Sequence, residues 1–95
     1  MSRPTKLDMG IEAWIAEHSQ WQREGSAIAR TFEFATFPAA IEFVTRVAAL
    51  AEKHDHHPDI DIRWRKVRLL WTTHDAGGLT RLDLLLAEAA SELVK

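Results

Sequence analysis

The chain has 95 residues, a hydrophobic fraction of 46%, a net charge of −2 and no cysteine. This length holds one domain over residues 1–95. Without cysteine there are no disulfides, no thiolate chemistry and no Cys-type zinc sites, and the acidic balance argues against nucleic-acid or membrane attraction. The opening MSRPTKLDMG has no secretory apolar run and no stretch nears membrane-spanning length, so a soluble cytoplasmic domain is expected.

The first element is a short helix over residues 8–18. Asp8 is its expected cap, and Ile11, Trp14 and Ile15 share one face. A turn at Glu24–Gly25 then suggests a hairpin whose second arm alternates, with Ile28, Phe32 and Phe34 on one side. Trp21, at the entry to the first strand, is either core or the wall of a pocket. Thr36 and Pro38 mark the start of a second helix. Its stripe is Ile41, Val44, Ala48 and Ala51, widened by Phe43, Val47 and Leu50. This helix ends near His54, because a residue before proline is pushed out of the helical region; His57, before Pro58, is expected to be extended.

Two alternating segments follow, DIDIRW and KVRLLWTTH. With a turn at Arg65–Lys66, Trp64 pairs with Val67, Ile62 with Leu69 and Ile60 with Trp71, so both apolar sets share one face. The same register, carried outward, sets His57 opposite His74. The last helix begins at Thr80, where TRLD reads as a capping box with Leu79 stapled to Leu84. Its expected buried face is Leu82, Leu85, Leu86, Ala89 and Leu93. The order α-β-β-α-β-β-α predicts an α+β two-layer sandwich, because hairpins with one apolar face need helices to cover it.

Of five histidines, three fall in HDHHP and a fourth in WTTHDAGGLT. Glu52 precedes His56 by four, a spacing that on a helix gives either a surface pair or a carboxylate fixing the tautomer of His56. The histidines could bind zinc, but the helix ends among them and no HExxH spacing is present. Proton transfer near neutral pH is the other use. His54 and His18 fit helix-end positions, where a cation is favoured. The four cations of RWRKVR suit an acidic partner or a phosphate or, the blander reading, a soluble hairpin tip. The glycines of DAGGLT lack the lysine and spacing of a phosphate loop and fit a strand–helix turn.

Taken together, Glu52, three spacers, His56-His57-Pro58, then Trp64, His74 and Asp83 resemble the pattern of the pterin-4a-carbinolamine dehydratases, the dimerisation cofactor family. EGSAIARTFEF, AAIEFVTRVAALAEK and GGLTRLDLLLA are also similar to family segments, so the likeness covers nearly the whole chain. Trp64 stands where tyrosine is frequent, and Asp55 where many members have asparagine.

The resemblance implies a four-stranded antiparallel sheet covered on one face by three helices. It also implies loss of water from a 4a-hydroxytetrahydropterin to give quinonoid dihydropterin, in the recycling of tetrahydrobiopterin for aromatic amino-acid hydroxylases, with no metal and no cofactor beyond the pterin substrate. By analogy His56 and His74 act as acids toward the leaving hydroxyl, and His57 positions the pterin and accepts a proton. Glu52 orients His56, and Asp83 either orients a site histidine or only caps its helix. His57, Trp21 and Trp64 form the expected pterin-binding set. A homo-oligomer, dimer or tetramer, is implied too. The alternative is a non-catalytic binding or assembly protein of the same fold, a transcriptional dimerisation cofactor or a Rubisco assembly factor.

Overall fold

The computed structural model describes residues 6, 7 and 9–95. The expected cap Asp8 lies outside the described residues. The first helix, α1, spans Ile11–Glu17, and the position before it is held by Gly10 in a left-handed conformation, φ 90°. Ile11 is buried, with Trp14 and Ile15 packed at the margin of the core.

Strands β1 (Gln22–Glu24) and β2 (Ala27–Glu33) form the first hairpin. Its turn is Gly25–Ser26, one residue later than the sequence suggested, since Glu24 pairs with Ala27. Ile28 and Phe32 point into the core and Phe34 lies partly buried beside them. Helix α2, Phe37–His54, starts as expected: the Thr36 hydroxyl accepts from the Ala39 amide at 3.1 Å, with proline in the first turn. Its buried seam is Ala40, Phe43, Val47 and Ala51. This corrects the expected stripe, because Ile41 and Ala48 face outward. The Phe43 ring sets the rotation, packing 4.6 Å from Phe32 and 5.0 Å from Phe34.

α2 ends in a left-handed turn at Asp55, φ 48°, after which the His56 amide donates back to the Ala51 carbonyl at 3.1 Å. Aspartate and asparagine tolerate this conformation better than most residues, so either can reverse the chain here. The second hairpin, β3 (Asp59–Arg63) and β4 (Lys66–Trp71), turns at Trp64–Arg65. Ile62 therefore pairs with Val67 and Ile60 with Leu69, a shift of two residues from the expected register. An even shift keeps the faces, so Ile60 and Ile62 remain on the side of buried Val67 and Leu69.

The antiparallel sheet runs β1-β2-β4-β3. Beyond β4 come a single 3₁₀ turn, His74–Ala76, and helix α3, Arg81–Glu92. The core lies between the helices and the sheet face carrying Ile28, Phe32, Val67, Leu69 and Trp71. β3 is an edge strand, and Ile60 and Ile62 are left exposed there, against the expectation that they face inward. On α3 the buried residues are Asp83, Leu84, Leu86, Ala87 and Ala90. Leu85 is 54% exposed, and Leu82, Ala89 and Leu93 are only partly covered, so the expected face is rotated here too. Leu79 and Leu84 are both buried in the core, as a staple requires. No helix among the described residues is long and apolar enough to cross a membrane.

Candidate active site

The site forms where the end of α2, the start of β3, the exit from β4 and the first turn of α3 meet. The left-handed turn at Asp55 takes His56 off the helix and swings its ring toward α3. There Nε2 lies 2.5 Å from Asp83 Oδ1. Asp83 is fully buried and the His56 side chain is 13% exposed. The ring also lies nearly parallel to the Trp71 indole, at 14° and 5.9 Å between centroids.

The other oxygen of Asp83 is held separately. Oδ2 accepts from the Thr80 amide at 2.9 Å and from the Thr73 hydroxyl at 2.7 Å. The Thr80 hydroxyl stands 3.0 Å from the Thr73 hydroxyl and 3.4 Å from the same carboxylate oxygen. The two readings of Asp83 thus coexist: one oxygen caps α3 and the other takes His56. A buried polar group costs free energy unless partnered, and this one is partnered on both sides.

His57 is held differently. Its Nε2 is 2.5 Å from Glu52 Oε2, with the two side chains 55% and 76% exposed. Glu52 therefore pairs with His57, not with His56. The spacing argument assumed that the helix continued through His56. It stops at His54, the left-handed turn carries position 56 to α3, and position 57 returns over the last turn of α2.

In each pair a carboxylate accepts at Nε2, so that nitrogen carries hydrogen, and Nδ1 has no hydrogen-bond partner among the described residues. A neutral imidazole in this tautomer offers Nδ1 as a base; a protonated one offers Nδ1–H as an acid.

His74 opens the 3₁₀ turn and is exposed. It does not face His57 across the sheet, because the ladder ends at the pair Asp59–Leu70. Instead it follows directly after Thr73, whose hydroxyl is 3.5 Å from His56 Nε2. Thr73 is anchored by reciprocal backbone bonds with Gly78, at 3.1 and 3.2 Å. Gly77, φ 78°, reverses the loop, so DAGGLT is the strand–helix turn the sequence suggested. Among the described residues the His74 ring has no hydrogen-bond partner.

The two tryptophans expected to hold substrate are placed elsewhere. Trp21 is buried in the core, donates to Ser91 on α3 at 3.0 Å and meets the Phe32 ring edge-on. It presents no free face. Trp64 is 68% exposed at the tip of the second hairpin, where Arg65 lies 4.3 Å over its ring. At about 3.3 Å per strand residue, that tip is roughly 20 Å from His57, so one chain does not bring Trp64 to its own histidines.

Among the described residues, no group of three His, Asp or Glu side chains is gathered tightly enough to hold a metal ion. The hairpin cations are mostly paired: Arg63 with Asp61, Arg65 with Glu33 and Arg68 with Glu24. The Glu24 hydrogen bond pushes the Arg68 pKa up. His18 bonds the Trp14 carbonyl at 2.8 Å and His54 the Leu50 carbonyl at 3.1 Å, both in the helix-end roles expected of them. A hollow of about 640 Å³ between β2, α2 and the end of α3 touches no histidine. The contacts that sequence reasoning missed are the hydroxyls of Thr73 and Thr80 and the Trp71 ring beside His56. The alternation of β4 put Thr73 on the same face as Trp71, a signal pointing inward.

The family model described as pterin 4 alpha carbinolamine dehydratase matches residues 7–93. A chain from Chloroflexus aurantiacus, named by inference as such a dehydratase, is 53% identical over 91 residues, covering 96% of this chain and 98% of its own. One from Chloroflexus aggregans, named in the same way, is 56% identical over 85 residues, covering 88% and 90%. A solved transcriptional coactivator/pterin dehydratase from Brucella melitensis superposes with a TM-score of 0.88 at 28% identity, covering 96% of this chain and 99% of that one. A pterin dehydratase-like RuBisCO assembly factor of the alpha-carboxysome shares the fold at 20% identity, TM-score 0.64, over 77% of this chain and 84% of its own. With a family model spanning residues 7–93 and a near-full-length relative 53% identical, the chain belongs to the pterin-4a-carbinolamine dehydratase family.

Proposed function

We propose that the chain catalyses the reaction of its family, as a hydro-lyase converting a 4a-hydroxytetrahydropterin to quinonoid dihydropterin and water. The observation that carries this reading is a pair of adjacent imidazoles, each gripped at Nε2 by its own carboxylate, with Nδ1 left unpartnered among the described residues. The reaction needs two proton transfers. The C4a–O bond breaks as the hydroxyl takes a proton and leaves as water. The N5–H proton goes to a base, and its electron pair closes the C4a=N5 bond. No electron is exchanged with an outside acceptor.

In this reading His56 and His74 supply the proton to the leaving hydroxyl, and His57 positions the pterin and receives the N5 proton. Asp83 holds His56 and Glu52 holds His57. The Trp71 indole supports the His56 ring from beside it. Proton transfer by imidazoles of this kind needs no resident metal. We further propose that copies of the chain associate, since apolar Ile41, Ile60, Ile62 and Leu85 are exposed, and that the product re-enters a pathway serving aromatic amino-acid hydroxylases.

The test is formation of quinonoid dihydropterin from a 4a-hydroxytetrahydropterin, followed by absorbance. Wild-type protein should accelerate it strongly, and the His56→Ala/His74→Ala double variant should be far slower than either single variant. A folded wild-type protein with no activity would move the reading to a binding or assembly protein.

A further inference from the structure

We propose that Thr73, outside the histidine–carboxylate set, is a positioning residue for His56, acting through Asp83. The inference rests on the dehydratase reading for its kinetic consequence. Its structural content stands on the hydrogen bonds alone.

Asp83 Oδ1 has one partner, His56 Nε2 at 2.5 Å. Oδ2 takes the Thr80 amide at 2.9 Å, a bond that an acidic residue at the third position of a helix makes in order to cap it. That single bond fixes one oxygen but lets the carboxylate swing about it. The Thr73 hydroxyl comes from a different element, the exit of β4, and donates to the same oxygen at 2.7 Å. Two donors from different elements fix the plane of the group, and with it the direction of Oδ1. Because Thr73 spends its one hydroxyl hydrogen on Asp83, its oxygen can accept from the Thr80 hydroxyl at 3.0 Å.

Hydroxyl order therefore sets proton order. A carboxylate saturated at Oδ2 keeps Oδ1 for His56, His56 keeps its hydrogen on Nε2, and Nδ1 of the neutral ring is left without one. Thr73 is buried, so water does not replace its hydroxyl without a cavity. Its backbone is clamped to Gly78 and its successor is His74. One residue thus joins the support of His56 to the placement of His74.

The test combines kinetics with ¹⁵N NMR of the imidazole nitrogens. Thr73→Val keeps the shape and removes the hydroxyl. It should lower kcat about tenfold, the low end of what outer partners of functional histidines cost, with KM within about twofold of wild type by the same argument. Thr73→Ser should restore kcat. In wild type, neutral His56 should show hydrogen on Nε2, and in Thr73→Val the signals should move toward a mixture of tautomers. Unchanged kcat in Thr73→Val, an unchanged tautomer, or a Ser variant as slow as the Val variant would each overturn the proposal. If Thr73→Val does not fold, the wild-type spectrum decides: hydrogen on Nδ1 of neutral His56 refutes the arrangement, and hydrogen on Nε2 with full kcat in Thr73→Ser upholds it. A wild-type chain that fails to dehydrate the pterin defeats the functional reading, while the spectra still decide whether Thr73 governs His56.

Discussion

Replacing Asp83 by asparagine changes one atom's bonding and leaves the shape alone. The amide has one acceptor oxygen and one donor nitrogen. The oxygen must stay with the Thr80 amide and the Thr73 hydroxyl, at 2.9 and 2.7 Å, since both donate. The nitrogen then faces His56 Nε2 across the 2.5 Å contact. A donor there forces neutral His56 to accept at Nε2 and to move its hydrogen to Nδ1. Nδ1 is then no longer a base, and the protonated ring loses its counter-charge. The same exchange behind the histidine of a serine protease costs about 10⁴ in kcat. In the proposed mechanism His74 shares the acid role, so a fall of about 10²- to 10⁴-fold is expected. Stability should fall by about 1.5–3 kcal/mol, the worth of a charge-assisted bond. For a domain of this size that is about 4–8 °C of Tm per kcal/mol. Turnover of a 4a-hydroxytetrahydropterin and a melt of the same sample read both effects. Wild-type turnover from folded Asp83→Asn would refute the claim that Asp83 directs His56.

Glu52→Gln should leave Tm nearly unchanged, within about 0.5 kcal/mol as for exposed pairs, and lower turnover less than His57→Ala does; equal loss would make Glu52 a direct participant. Trp21→Ala should cost about 3–5 kcal/mol in a denaturant melt, because it empties a core position and removes the bond to Ser91, whereas Trp64→Ala should leave Tm close to wild type. Sedimentation at micromolar concentration should show an assembly larger than a monomer, and a strict monomer would count against association through the exposed apolar residues.

Much of this arrangement is legible in the sequence because the local signals agree with the fold. Thr36 with Pro38, the TRLD box and the alternation of DIDIR against KVRLLW each name an element that forms. Which face of a helix is innermost is less legible. Phe43 and Asp83 take central places because of what lies opposite them, two phenylalanines in one case and a histidine in the other. The hairpin tip misleads by one residue because Trp64 adopts φ 55°, a conformation nothing local demands. That shift undoes the expected meeting of His57 and His74. The exchange of carboxylates has a similar origin. Spacing alone ties Glu52 to His56, but the left-handed turn at Asp55 hands His56 to Asp83 and leaves His57 for Glu52. The bond between the Thr73 and Thr80 hydroxyls follows from neither local pattern, the β4 alternation or the TRLD box, since it spans a strand exit, a loop and a helix start.

The most direct test of metal-free proton transfer by carboxylate-held histidines is the dehydration rate of protein exhaustively treated with chelator and checked for residual metal. Full activity, unchanged when zinc or another divalent ion is returned, is the expected result. Activity that disappears with the metal and returns with it would contradict proton transfer by the imidazoles, because a metal-bound water would then be doing the chemistry.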